Sequence, residues 1–119
     1  MAKERNISIN DLVGMEVSGI SFVRDYVEIH FDGPILRCIS NLTLESEEWQ
    51  FTFPESGSRD SLCQLINQTI ESIDLDENTM LKAKFSGGYE LVVPLDQESR
   101  RGPEAMHFVP GINEPVQVW

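Results

Sequence analysis

The chain has 119 residues, 40% hydrophobic and 24% charged, the proportions of one ordinary globular domain, which argue against wholesale disorder. Twenty acidic residues against nine basic ones leave a net charge of −11. That excess disfavours nucleic acid and anionic membrane surfaces, and fits a basic protein partner or simple solubility.

In chain order, "MAKERNISIN" is charged and lacks the apolar run of a signal peptide, and no window approaches the ~20 apolar residues of a membrane span. A cytoplasmic protein is expected. "INDLV" reads as one helical turn ending at Val13, and Gly14 suits the left-handed position after it. In the strands that follow, Val27, Ile29 and Phe31 point inward, while Tyr26, Glu28 and His30 point outward. Val17 and Ile20 are three apart, so a β-bulge at Ser18–Gly19 is needed for both to face the core. A glycine turn at Gly33 then leads into a strand with Leu36 and Cys38 inward and Arg37 outward.

"NLTLESEEWQFTFP" follows, with Trp49, Phe51 and Phe53 on one face of a further strand. After the loop "PESGSRD" comes the best helix signal. Ser58 is the expected N-cap, Asp60 favours the dipole, and Leu62, Leu65 and Ile66 share a face on which Cys63 is expected too. Asn67 takes the place Gly14 holds earlier, and Ile70 and Ile73 again call for a bulge, at Glu71–Ser72. Leu81, Ala83 and Phe85 point inward, Met80, Lys82 and Lys84 outward, and Gly87 turns the chain toward Leu91 and Val93. Residues 94–119 read as a long polar loop, irregular over 96–114, closed by "VQVW" as an edge strand.

Residues 8–39 overlie 61–93. Leu12 falls on Leu65, Gly14 on Asn67, Val17 on Ile70, Ile20 on Ile73, Phe22 on Leu75, Phe31 on Phe85, Gly33 on Gly87 and Leu36 on Leu91. Because the irregularity is shared as well as the apolar residues, the reading is an internal repeat within a single domain, 1–119. The expected fold is mainly β with one short helix, on the α+β border. Two pseudo-repeated helix-turn/three-strand halves, seven or eight antiparallel strands in all, form a barrel or a sandwich.

Chemistry-bearing motifs are sparse. "DLDEN" opens like a calcium loop, but Thr79 and Phe85 stand where glycine and a bidentate Glu are required. Glu104 and His107 are spaced E-x-x-H, yet the di-iron arrangement needs two such pairs on four helices. His30 and His107 with Cys38 and Cys63 lack zinc-site spacing, and both cysteines read as buried free thiols. No nucleophile elbow, phosphate loop or dinucleotide fingerprint occurs, so neither metal nor cofactor is expected and an enzyme is the third choice. The one exposed cluster of anchoring residue types is Tyr26, Glu28 and His30 with Arg37 on the next strand, a candidate partner-binding strip.

The string "FVRDYVEIHFDG", the late "GPEA" and the closing Trp119 resemble small bacterial proteins grouped as domains of unknown function. That resemblance implies a bacterial cytosolic protein and no assigned catalytic residue. The expected function is a non-enzymatic acidic protein-interaction domain. The alternative is a small-ligand-binding β-barrel or sandwich, against which the apolar inward positions weigh. "WQFTF" and "VQVW" are candidate open edges through which a homodimer would form.

Overall fold

A computed structural model describes residues 8–119; the first seven, on which the expectation about a signal peptide bears, lie outside the described residues. A 3-10 turn, Ile9–Leu12, opens the fold, and the Ser8 N–H donates to the Asp11 carboxylate at 2.8 Å. The strands are β1 (Gly19–Val23), β2 (Tyr26–His30), β3 (Ile35–Cys38), β4 (Thr43–Glu45) and β5 (Gln50–Thr52). After α1 (Ser58–Cys63) come β6 (Ile70–Asp76), β7 (Met80–Phe85), β8 (Glu90–Pro94), β9 (Met106–Val109) and β10 (Gln117–Val118). They form two five-stranded antiparallel sheets, ordered β1-β2-β3-β9-β10 and β5-β4-β8-β7-β6. The sheets pack like a sandwich, and neither closes into a barrel.

The chain crosses between the sheets twice. After β3 it leaves the first sheet and adds β4 and β5 to the second; after β8 it returns and adds β9 and β10 to the first. The pairing has the same plan on both sides. Val27 opposes Cys38 and Phe22 as Leu81 opposes Val93 and Leu75, while Leu36 opposes Phe108 as Leu91 opposes Leu44. The bulges match as well. β6 slips register between Ile70 and Ser72, and in β1 the Ser18 N–H donates to the His30 carbonyl although His30 already opposes Gly19.

Between the sheets, the segments that enter β1 and β6 meet at an antiparallel bridge, Glu16 to Thr69. The bonds around it come in matched pairs. Val17 N–H donates to Gln68 O (2.9 Å) and Ile70 N–H to Met15 O (3.0 Å); Gly14 N–H donates to Ile70 O and Asn67 N–H to Val17 O, both at 2.8 Å. Gly14 (φ +91°) and Asn67 (φ +75°) both take the left-handed conformation that lets the chain turn into this bridge.

Alternation does the rest. Val27, Ile29, Phe31, Leu36 and Cys38 from one sheet and Leu44, Leu81, Ala83, Phe85, Leu91 and Val93 from the other are buried. Ile20 and Phe22 are only half-buried, packed against the edge of that core.

Several expectations are corrected. The tail is not one long loop, because Met106 and Phe108 are fully buried in β9, which pairs with β3 in the interior of the first sheet. The strands number ten among the described residues. The cap of α1 is Gly57, not Ser58. Gly57 has φ +91°, and a Cβ there would lie 2.8 Å from the Phe51 ring, so only glycine fits. Cys63 is exposed, since α1 turns Ser58, Ser61 and Leu62 inward and the next residue falls round the helix toward solvent. Leu65 and Ile66 pack in the turns that follow α1 rather than on it.

Candidate functional site

The outward positions of the first sheet bring the predicted strip together. Cross-strand pairing sets Ser21 against Glu28, Glu28 against Arg37, and Arg37 against His107, so four strands contribute one transverse row. Arg37 Nε donates to Glu28 Oε2 at 2.8 Å, and its Nη1 donates to His107 Nδ1 at 3.1 Å. His107 Nε2 lies 2.7 Å from Glu104 Oε1. A guanidinium can only donate, so Nδ1 is bare and the His107 ring proton sits on Nε2, aimed at Glu104. At the other end His30 Nε2 lies 2.9 Å from Ser21 Oγ and 3.7 Å from Glu28 Oε1.

Tyr26 stands half-buried on the same face, beyond this chain of bonds. Ser21, Glu104 and His107 are members that sequence reasoning missed. Ser21 faces outward once the bulge at Ser18 is accepted, which was a usable signal. His107 is hidden in the sequence because Pro103 and Pro110, which bracket its strand, give the segment the look of a loop.

Serine, histidine and glutamate invite comparison with a catalytic relay. Such a relay holds its carboxylate on one imidazole nitrogen and its nucleophile on the other. Here Ser21 and Glu28 both face Nε2 of His30. The arrangement is a cross-strand tie, in which each charged group has its partner within the row.

The second sheet carries the counterpart row Asp74, Lys82, Val92, Thr43 and Thr52. Thr43 Oγ1 and Thr52 Oγ1 are 2.8 Å apart, and Lys82 Nζ lies 3.9 Å from Glu90 Oε1. Asp74 has no ion pair among the described residues, nor has Glu71 at the bulge. Asp76 receives the Asn78 N–H at 3.0 Å, so the "DLDEN" segment forms an Asx turn between β6 and β7.

Arg100 and Arg101, adjacent basic residues in an acidic chain, are used internally. Arg100 donates to the carbonyls of Leu95 and Pro103, each at 3.0 Å. Arg101 donates to the carbonyls of Asp25 and Ile39 and pairs with the Asp25 carboxylate at 2.8 Å. The two arginines pin the crossover between β8 and β9.

Cys38 lies within the core, and burial pushes its thiol up to about 12, because a thiolate there would lose its hydration. Among the described residues no three His, Cys, Asp or Glu side chains gather as a metal site would require. No protein-family model, curated protein or solved structure matches this chain.

Proposed function

We propose that the chain is a non-enzymatic, acidic protein-interaction domain that works in the cytoplasm on a basic partner. The observation that carries this reading is the exposure, on the second sheet, of carboxylates with no ion pair among the described residues: Glu71 and Asp74 on β6, with Glu47 and Glu48 at the β4–β5 turn. They belong to a chain whose net charge is −11, so a cationic surface is drawn in from beyond contact range. Small-ligand binding between the sheets has less support. Phe31, Phe53, Phe85 and Phe108 fill that space, and among the described residues the buried polar side chains are three serines, Ser40, Ser58 and Ser61. The matched registers and the paired bonds about Glu16 and Thr69 support an internal duplication, each half lending two strands to the other's sheet. β5 and β10, the end strands opposite β6 and β1, are where a homodimer would form.

The test is titration of the protein with a labelled oligolysine at rising ionic strength. Binding at low salt should fade toward about 1 M, where the screening length is about 3 Å. Binding that ignores salt, or none at low salt, overturns the reading.

A further inference from the structure

We infer that the open edge of β6 is a docking strand, and that its occupant is an extended basic segment of the partner, added to the second sheet as a further strand. The inference rests on the basic partner proposed above and names how it is held.

Among the described residues β6 is the longest strand, and it ends its sheet. Its first residue, Ile70, is bonded to Met15 and Gly14 across the bridge between the halves. From Ser72 to Asp76 its one neighbouring strand among the described residues is β7. In an antiparallel ladder alternate N–H and C=O groups point away from the partner strand, so this stretch offers a row of unused donors and acceptors about 16 Å long, at roughly 3.3 Å per residue.

The side chains along the edge describe the occupant. Asp74 and Asp76 are exposed on the outer face and Glu71 stands at the bulge, while Glu77, which follows, already accepts the Trp119 indole N–H at 3.1 Å. Lys82, directly across from Asp74, leans to Glu90 instead. On the core side Ile73 and Leu75 are half-buried. Their counterparts on β1 have a lid. α1 packs on β1, and Phe22 stacks on Phe53 at 6.0 Å under the Arg59 guanidinium. The element that meets β6 in place of α1 is the single turn Ile9–Leu12.

A strand alternating lysine or arginine with aliphatic residues answers both faces, its cations over Asp74 and Asp76 and its apolar side chains over Ile73 and Leu75. A second copy of β6 would set carboxylate against carboxylate, which disfavours self-pairing at this edge.

The probes are the capped peptide Lys-Val-Lys-Val-Lys-Val, the same peptide with its valine nitrogens methylated, and an oligolysine of equal length. Each is titrated into the 15N-labelled full chain at low salt. The expected result is chemical-shift change centred on Ser72–Asp76, binding at least about tenfold tighter than for the methylated peptide, and a loss of about three- to tenfold in D74N/D76N. Equal affinity for the two peptides, or shifts elsewhere, overturns strand docking while oligolysine binding keeps the basic-partner reading alive. Failure of all three probes overturns both. Concentration-dependent shifts at β6 without peptide would give the edge to a second copy and overturn the inference as well.

Discussion

Ser21, Glu28, Arg37 and His107 lie side by side across the first sheet, and Asp74, Lys82, Val92 and Thr43 hold the matching positions across the second. The ladders beneath the two rows are alike, yet the side chains have opposite economies. In the first row the Arg37 guanidinium lies between the Glu28 carboxylate and a histidine that is itself held by Glu104. In the second, Asp74 has no cation of its own among the described residues, because Lys82 turns to Glu90. The cluster of aromatic, histidine and arginine that resembles a binding site in the sequence is thus a closed circuit. The open valences lie on the plainer strand.

The widest test of the comparison is whether the exchanged strands hold the two sheets alike. Phe108 on β9 and Leu44 on β4 occupy matching positions and are both fully buried. Truncation of either to alanine leaves a cavity between the sheets, so Phe108→Ala should cost about 3–5 kcal/mol and Leu44→Ala about 2–5 kcal/mol in urea denaturation. A Phe108→Ala cost below about 1 kcal/mol would break the equivalence and return the tail to the status of a surface loop.

The second test separates a closed row from an open one. Arg37→Ala removes the shared partner of Glu28 and His107, with Arg37 28% and Glu28 15% exposed. A charged hydrogen bond at that depth is worth about 1–2 kcal/mol after discounting for solvent. Lys82, 41% exposed and 3.9 Å from Glu90, should cost within about 0.5 kcal/mol when changed to alanine. Equal losses at the two sites would remove the distinction between the rows.

Alkaline pH probes the core. The Cys38 thiol is raised from 9.0 to about 12 by burial, so the unfolded chain releases this proton more readily than the folded one. Its contribution is fully present below pH 9 and is lost as pH rises toward about 12, at up to about 1.4 kcal/mol per pH unit. Cys38→Ala should flatten that limb of the stability profile, whatever it costs at neutral pH. In the folded protein an aromatic disulfide reagent should label the exposed Cys63 and spare Cys38.

Sequence and structure part company along a physical line. Alternation in β2, β3, β7 and β8, the left-handed Gly14 and Asn67, and the paired bulges depend on near neighbours, and all are legible in the chain. The destination of β4 and β9 depends on pairing with strands far away in sequence, which no local pattern encodes. Within "EAMHFVP" the alternation of Met106, His107 and Phe108 is present. Pro103 and Pro110, which bracket the strand, make it look like a loop. The strip Tyr26, Glu28, His30 and Arg37 was legible as a set, but not its satisfaction, since two of the groups that complete the circuit, His107 and Glu104, arrive with the misread strand.

The finest distinction lies at the bridge between the halves. Gly14 and Asn67 make matched turns, at φ +91° and +75°, and each donates its N–H to the opposite segment. Glycine meets no steric cost there, whereas asparagine retains a Cβ that the left-handed region disfavours. Gly14→Ala should therefore cost about 1–2 kcal/mol even though a Cβ at Gly14 meets nothing within 4 Å, because the penalty is conformational and not a clash. Asn67→Ala should cost about as much or slightly less, and Asn67→Gly should be neutral to within about 0.5 kcal/mol. Thermal or urea melts of the three variants would show it. If Asn67→Gly instead lost more than about 1 kcal/mol, the Asn67 side chain would be contributing something that Gly14 does not, and the two turns would be alike in shape alone.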